Sequence, residues 1–317
     1  MLDIKHIDSE LLVALEDRPD FDIWENLPET RVKLKEFAES FDAHLPIMDH
    51  VVFADHQIPE AGDNPDLRVR VYRPVKTDGP LPSLLWIHGG GYVMGSIDVE
   101  VPLMQRLVDE VGCVVVTVEY RLAPEHPYPA PLDDCYQALG WLFARSAELG
   151  IDEENVAIGG ISAGAGLAAG LALMARDRGD YRTVYQLLLC PMLDDLNEQP
   201  STHMDLTGIG WDRRSNRKGW QAYLAGHYDA DIHDYAVPSR VDDLSRLPPA
   251  YISVGSLDLF LDENLQYARR LLAAEVPTEL HVFPGGMHGF EYRVPGARLS
   301  ARAHYLNYEI LKHAFRP

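Results

Sequence analysis

The sequence predicts an α/β protein in which a mostly parallel central sheet is flanked by helices. Strand-like and helix-like stretches alternate along its 317 residues, which favours one large unit over two small domains. Short apolar runs such as residues 83–87 are typical of strands buried on both faces of a parallel sheet. Glycine-rich turns follow two of the predicted strands, at the edge where such sheets place functional groups.

Residues 1–45 are expected to be helical and to lie outside the sheet. Their apolar residues have a partly amphipathic spacing, which Pro19 and Pro28 interrupt. The apolar positions are Leu11, Leu12, Leu15, Val32, Leu34, Phe37 and Phe41. Because this segment precedes the first strand, we assign residues 1–45 to an appendage and residues 46–317 to the main domain.

The first strands are predicted at residues 51–53 and 67–72, as antiparallel neighbours at a sheet edge. A turn at residues 78–80 then leads to the buried strand at residues 83–87. The chain continues with a helix at 99–110, a strand at 113–120, a proline-rich loop at 121–129 and a helix at 131–149.

The second half begins with a strand near residues 155–161 and a helix of small residues that runs to about Met174. Strands are predicted at 184–190, 250–254 and 278–283, and helices at 263–275 and 297–315. The polar stretch 194–246, with Trp211, Trp220 and Tyr223, is too long for an ordinary connection. We therefore interpret about residues 195–230 as a cap insertion. The last strand is expected at a sheet edge, where pairing with a second copy would give a homodimer.

Ser162 lies in the turn between a predicted strand and a helix. The run Gly160-Ile161-Ser162-Ala163-Gly164 fits G-x-S-x-G, in which glycines let the backbone reverse sharply and raise a serine hydroxyl above the sheet. The same spacing also occurs in ordinary flexible connections. A candidate nucleophile therefore needs supporting residues elsewhere in the chain.

A second glycine-rich turn, His88-Gly89-Gly90-Gly91, follows the buried strand at residues 83–87. Consecutive glycines leave backbone N–H groups uncovered, so Gly89, Gly90 and Gly91 are candidates for an oxyanion hole. The alternatives are a plain turn or a phosphate loop, and the second is disfavoured because no G-K-[ST] sequence follows. We interpret His88 as a residue that braces the loop and not as a catalytic base.

A serine nucleophile needs a base, and the base needs an acid that holds its tautomer. Asp258 and His288 each follow a predicted strand, and His288 lies on a glycine-rich loop. The chain order Ser162, Asp258, His288 is the order expected for such a serine turn on a parallel sheet.

Other residues compete for these roles. Asp194 and Asp195 follow an earlier strand, whereas Asp262 and Glu263 suit the polar first turn of a helix. We favour Asp258 because its loop immediately precedes the unit that carries His288. Four further histidines lack a comparable glycine-rich loop: His126, His203, His227 and His233.

The amino-acid composition limits the classes of partner that the protein can bind. A net charge of −21 argues against binding nucleic acid or an anionic membrane, because the field of the molecule would repel phosphate. Cys113, Cys135 and Cys190 lack C-x-x-C spacing and lie in apolar runs, so we expect buried free thiols, no metal site and a reducing cytoplasm. We find no targeting signal and no apolar run of ~18 residues.

Five motifs occur in order along the chain. They are His88-Gly-Gly-Gly91, Tyr120-Arg-Leu-Ala-Pro-Glu125, Gly160-Ile-Ser-Ala-Gly164, Asp258 with Asp262-Glu263, and His288-Gly-Phe290. Over about residues 50–315 they resemble the hormone-sensitive-lipase-like esterases of the α/β-hydrolase superfamily. The resemblance implies an α/β-hydrolase fold with a helical cap, no cofactor, and hydrolysis of short- to medium-chain acyl esters. It also implies an oxyanion hole formed by the glycines after His88 and the Ala163 amide.

The chain departs from this family beside the serine. The family commonly has an acid before the serine and two glycines after the alanine, whereas this chain has Ile161 and Ala165. Gly160 and Gly164 preserve the geometry of the turn. The replacement of the acid by Ile161 therefore affects the hydrogen bonds that the acid would make behind the turn. The alternative readings are an amide, lactone or formamide substrate, a non-catalytic small-molecule receptor on the same fold, and a structural domain. The complete set of serine, aspartate and histidine favours an enzyme.

Overall fold

The computed structural model describes residues 6–15, 22–42, 48–59, 66–204, 211–225 and 235–315. Its strands are β1 (Val51–Ile58), β2 (Leu67–Pro74), β3 (Leu81–Ile87), β4 (Val114–Val118), β5 (Ile151–Ile161), β6 (Tyr185–Leu189), β7 (Ala250–Leu257) and β8 (Thr278–Met287). They form one sheet in the order β1-β2-β4-β3-β5-β6-β7-β8. Strand β2 is antiparallel to β1 and β4, and the other pairs are parallel. The expected α/β-hydrolase fold is confirmed, and so is the edge position of the last strand.

Nine α-helices lie within the described residues. They are α1 (Leu27–Asp42), α2 (Val101–Val111), α3 (Ala130–Ala144), α4 (Ser146–Leu149), α5 (Ala163–Arg178), α6 (Arg213–Tyr223), α7 (Leu261–Ala273), α8 (Phe290–Arg293) and α9 (Arg298–Ala314). Short 3-10 helices add Ser9–Leu15, Ile97–Val99, Pro200–His203 and Pro238–Arg240.

Alternate residues of the central strands pack on opposite faces of the sheet. In β4, Val114 and Val116 join the apolar cluster that contains α3, α5 and α7, whereas Val115 joins the cluster on the side of α2 and α9. Since both faces are covered, both sets of residues must be apolar, which explains the continuous apolar runs in the sequence.

The predicted helix at residues 131–149 is wrong in one respect, because it is two helices that break at Arg145. Arg145 has a φ of −112°, outside the helical range. Ser146, the first residue of α4, is buried and hydrogen-bonds Glu153 of β5. This contact joins the first residue of α4 to β5.

The stretch 194–246, interpreted as irregular, contains a regular helix in its described part. The Asp212 carboxylate accepts a hydrogen bond from Ser215 N at 2.7 Å and so caps the start of α6. Three positions of α6 at helical spacing, Asn216, Trp220 and Tyr223, are buried. The capping residue Asp212 and this spacing are local signals of a helix in the sequence.

Residues 6–15 contain the 3-10 helix Ser9–Leu15 and pack where β8 ends. Asp8 N donates to Gly285 O at 3.1 Å, and Leu11 is fully buried in a cluster with Met287 and Phe290. Glu10 accepts hydrogen bonds from the backbone and side chain of Arg298. Residues 6–15 therefore support the loop that carries His288.

Candidate active site

Ser162 occupies a strained turn between β5 and α5. Its φ is 56°, in the left-handed region that an L-residue adopts at a cost of about 1–2 kcal/mol. Its backbone is held by Leu189 O, which accepts from Ser162 N at 2.8 Å, and by Met192 N, which donates to Ser162 O at 3.1 Å. Such fixed strain places the side chain at the carboxyl edge of the sheet, which is the geometry expected of the G-x-S-x-G turn.

The two glycines that flank Ser162 leave no room for a side chain. A Cβ at Gly160 would lie 2.5 Å from Ile87 O, and one at Gly164 would overlap the carbonyls of Ile87 and His88. Strand β3 and the turn therefore touch through backbone atoms. This contact fixes the position of Ser162 relative to the loop that follows β3.

His288 connects Ser162 with Asp258. Ser162 Oγ lies 2.9 Å from His288 Nε2, and Asp258 Oδ2 lies 2.8 Å from His288 Nδ1. Asp258 is fully buried, and its Oδ1 accepts from Phe260 N at 2.9 Å. Because a carboxylate faces Nδ1, that nitrogen carries the ring proton, and Nε2 is left to accept the hydroxyl proton.

The loop of His288 is held by several contacts. Gly285 N donates to Ser256 Oγ at 2.9 Å, and Phe260 meets the imidazole edge to face with ring centroids 5.0 Å apart. A turn with glycines at positive φ, Gly285 at 77° and Gly289 at 61°, brings the ring back over the sheet edge.

The rival acids are engaged elsewhere. Asp195 makes a two-point ion pair with Arg240, at 3.0 and 2.6 Å. Asp194 accepts from Leu196 N at 3.1 Å. Asp262 accepts from Ser201 N at 2.6 Å, and Glu263 from Leu193 N at 2.7 Å. None of these four carboxylates contacts His288. Of the other histidines, His126 and His203 are exposed, and His227 and His233 lie outside the described residues.

The glycine loop after β3 passes beside Ser162. A Cβ on Gly89 would lie 3.4 Å from Ser162 Cβ. The loop is closed by Val93 N and Met94 N, which both donate to Gly90 O, at 3.1 and 3.0 Å. Among the residues that the structure describes, no group accepts a hydrogen bond from the amides of Gly89, Gly90, Gly91 or Ala163. These donors are therefore available to an anion next to Ser162.

His88 braces this loop. It is buried, its Nδ1 lies 2.8 Å from Gly89 O, and its ring stacks on Tyr120 with centroids 4.2 Å apart. Tyr120 Oη also donates to His88 O at 3.0 Å. Burial lowers the pKa of His88, which keeps the ring neutral. It has no hydrogen bond to Ser162, in agreement with the structural role expected from the sequence.

Ile161 shows what replaces the acid of the family motif. It is 8% exposed and belongs to the apolar cluster on the α2 side of the sheet. Its Cγ2 also lies 3.3 Å from the site of a Cβ on Gly89. Apolar packing against the glycine loop after β3, residues 88–91, therefore supports the turn.

Two pieces of the chain cover the oxyanion loop. Trp211 packs on Gly91, where a Cβ would overlap the indole. Trp24 lies next to Trp211, with ring centroids 6.2 Å apart, and its Nε1 donates to Ser215 Oγ at 3.2 Å. Arg214 pairs with Asp22 at 2.7 Å. Residues 22–24 and 211–215 are thus in mutual contact next to this loop.

Arg31 joins helix α1 to the loop. Its Nε donates to Val93 O at 2.7 Å, and its Nη2 donates to Ala123 O at 2.9 Å and to Glu125 at 2.8 Å. No local pattern in the sequence indicates this role for Arg31, because the contacts join positions that are 62 to 94 residues apart.

Two further buried groups near the serine were missed. Cys190 follows β6 with a φ of 38°, and its thiol lies beside Asp258 and His288. Burial raises the pKa of Glu291 to about 7, and the nearby His288 acts in the opposite direction. The sequence predicts a strand over residues 184–190 and so places Cys190 inside it, whereas β6 ends at Leu189 and Cys190 is the first residue after the strand.

Comparison with known proteins gives consistent results. Residues 84–292 match a family described as alpha/beta hydrolase fold. Carboxylesterase NlhH of Mycobacterium tuberculosis is 37% identical over 236 residues, which cover 71% of each chain. Ethyl acetate hydrolase of Pseudomonas putida is 33% identical over 231 residues, which cover 72% of each chain. The structure of a bacterial heroin esterase superposes with a TM-score of 0.94 at 39% identity, over 99% of each chain.

In the part of the chain that the structure describes, no helix combines the length and the apolar character that a membrane span requires.

Proposed function

This chain belongs to the hormone-sensitive-lipase-like esterases of the alpha/beta hydrolase superfamily, and on that premise we propose how its residues hydrolyse carboxylic esters. It is a serine carboxylesterase. We assign Ser162 as the nucleophile, His288 as the general base and acid, and Asp258 as the residue that orients His288. The observation that carries the assignment is the continuous pair of hydrogen bonds, 2.9 and 2.8 Å, from Ser162 through His288 to Asp258.

Acylation starts at the serine. Ser162 Oγ attacks the ester carbonyl carbon while its proton passes to His288 Nε2. The carbonyl oxygen gains negative charge, which the amides of Gly89, Gly90, Gly91 and Ala163 surround. One such donor contributes on the order of 10²–10³ in kcat in related chemistry. The bond to the alcohol oxygen then breaks, and His288 returns the proton to the leaving alcohol.

Deacylation repeats these steps with water. His288 takes a proton from the water, which attacks the acyl carbon and releases the acid and Ser162. Asp258 remains an anion in both halves and stabilises the imidazolium. Its complete burial strengthens this interaction, because water does not screen it.

The substrates are short- to medium-chain acyl esters. The relative named ethyl acetate hydrolase supports this choice, because its name specifies a two-carbon acyl group. Trp211 supports it as well, since the indole on Gly91 limits the space above the oxyanion loop.

The cap consists of residues 1–45 and the insertion near residues 195–230, and residues 46–317 form the catalytic domain. The contacts of Trp24 with Trp211 and Ser215, and of Asp22 with Arg214, support this division. A cap of two segments can change the entrance to the site without moving the sheet.

The chain forms a homodimer through β8 and works in the cytoplasm. Strand β8 is an outer strand of the sheet, and its Val282 is 39% exposed, so a second copy can pair with it. Three buried free thiols suit a reducing compartment. Sedimentation at micromolar concentration tests the dimer, and a monomer alone would exclude it.

The decisive experiment measures hydrolysis of p-nitrophenyl esters, from acetate to palmitate, by wild type and Ser162→Ala. We expect turnover that peaks at short chains in wild type and none in the variant. Circular dichroism of both proteins controls for folding. No hydrolysis of any ester by folded wild type would favour an amide, lactone or formamide substrate, or a receptor.

A further inference from the structure

The thiol of Cys190 lies beside the residues that act on Ser162. Cys190 is 3% exposed and is the first residue after β6. Its Sγ, a ring nitrogen of His288 and a carboxylate oxygen of Asp258 all lie within 4.8 Å of one another. Within the described ranges, no other group of three such side chains has its ligand atoms this close.

These three side chains are the ligand types that zinc prefers. Zn²⁺ binds thiolate sulfur at about 2.3 Å and imidazole nitrogen or carboxylate oxygen at about 2.0–2.2 Å, in tetrahedral geometry. Ligand atoms then stand roughly 3.3–3.6 Å apart. The present separations are of that order, since Nδ1 and Oδ2 are 2.8 Å apart and all three ligand atoms lie within 4.8 Å of one another.

Burial raises the pKa of the Cys190 thiol, so the sulfur is protonated in the free protein, and Zn²⁺ has to displace that proton in order to bind. The imidazole of His288 is 13% exposed, so an ion can reach the cluster from the substrate side.

We propose that Cys190, Asp258 and His288 form an inhibitory site for Zn²⁺ that shares two residues with the catalytic triad. The proposal rests on the proposed function of those two residues. Binding takes the thiol proton from Cys190 and releases it to solvent. The ring proton of His288 moves from Nδ1, which binds the metal, to Nε2. A neutral ring with its proton on Nε2 cannot accept the proton of Ser162, and turnover stops.

Zinc inhibition of matched cysteine variants tests the site. Rates of p-nitrophenyl acetate hydrolysis are measured at free Zn²⁺ concentrations fixed by a chelator, for wild type, Cys190→Ala and Cys113→Ala. Cys113 is also fully buried, but it directly precedes β4, at the opposite end of that strand from the carboxyl edge. We expect the inhibition constant to rise at least about 10-fold in Cys190→Ala and to stay unchanged in Cys113→Ala, since even an indirect ligand contact typically changes affinity ~10–100-fold. Equal inhibition of all three proteins would overturn the proposal.

Metal binding without turnover separates this proposal from the function it rests on. Ser162→Ala retains all three ligands, and equilibrium dialysis should show about one Zn²⁺ per chain that Ser162→Ala/Cys190→Ala does not bind. Stoichiometric zinc binding together with a folded wild-type protein that hydrolyses no ester would refute the proposed function and leave the zinc site standing. An active esterase whose dialysis shows no Cys190-dependent zinc would refute the site alone.

Discussion

Trp211 and Gly91 are in direct contact, with the indole of the cap residue occupying the space that a Cβ at position 91 would need. The φ of Gly91 is 59°, so glycine is required there by conformation as well as by space. On the same side, a Cβ at Gly219 of α6 would lie 2.9 Å from Gly91 O. The glycine loop after β3 and residues 211–219 therefore depend on each other for their positions.

Gly91→Ala should lower kcat on the order of 10²-fold, because the methyl group displaces the loop and its amides. The double variant Gly91→Ala/Trp211→Ala should recover part of that loss, since only the overlap is relieved. Gly112→Ala is the matched control. Its φ is 72°, and nothing lies within 4 Å of its missing Cβ. Unchanged kcat in Gly91→Ala would exclude the Gly91 amide from the oxyanion hole.

Asp258→Asn should reduce kcat on the order of 10⁴-fold with the fold intact, because an amide cannot hold the required tautomer of His288. Asp195→Asn is the comparison. It alters another buried carboxylate, which pairs with Arg240. Its effect should fall on thermal stability and not on kcat. If the two variants lost similar activity, the assignment of Asp258 would be wrong.

Arg31→Gln should lower kcat/KM about 10-fold. The guanidinium donates to the carbonyls of Val93 and Ala123 at the base of the oxyanion loop, and such charged hydrogen bonds contribute about 1.5–3 kcal/mol. Lys33→Gln on the same helix loses an exposed pair with Glu29 and should have less than a twofold effect. Equal effects would mean that α1 does not position the loop.

Leu11→Ala should lower the free energy of unfolding by about 3 kcal/mol, because its side chain is fully buried against the loop of His288. Val13 in the same 3-10 helix is 46% exposed, so Val13→Ala should cost less than about 0.5 kcal/mol. Urea denaturation measures both. A small effect of Leu11→Ala would show that residues 6–15 contribute little to stability.

Glu100→Gln should make the stability of the protein less dependent on pH. Burial raises the pKa of Glu100 to about 8, while its carboxylate accepts from Trp86 Nε1 at 2.9 Å. An unfolded glutamate loses its proton near pH ~4.3, so between about pH 4.3 and 8 the folded state binds more protons, and stability falls as pH rises. Glutamine keeps the hydrogen bond and removes the titration.

Urea denaturation of wild type and Glu100→Gln at pH 5, 6.5 and 8 measures this effect. The stability of the variant relative to wild type should grow with pH, by at most about 1.4 kcal/mol per unit. Parallel curves would show that Glu100 titrates normally in the folded protein.

The sequence placed the site residues well because their signals are local. Apolar runs mark the strands, and the glycine turns around Ser162 and His288 mark the strand ends, so their meeting at one sheet edge follows from the parallel topology. The structure brings Ser162, Asp258 and His288 together in that arrangement, and their catalytic roles stay a prediction.

Contacts between distant segments could not be predicted in this way. Trp211 on Gly91 and Arg31 on Val93 join parts of the chain that no periodicity relates. The break at Arg145 also depends on a tertiary contact, that of Ser146 with Glu153, as much as on propensity. Cys190 looked like an ordinary core thiol, because an apolar run does not reveal which residue is the first to leave the sheet.

Residues 6–15 are the first described part of the chain to be synthesised. The residues that they pack against are among the last to be synthesised. Glu10 meets Arg298, 288 positions later, and Leu11 packs on the residues around His288. At ribosomal speeds of about 5–20 residues per second, the segment waits on the order of 15–60 s for its partner. During that time Ile7, Leu11 and Ala14 remain in contact with water or with a chaperone. A nascent chain can therefore build the serine turn early, but it becomes an esterase only when translation is almost complete.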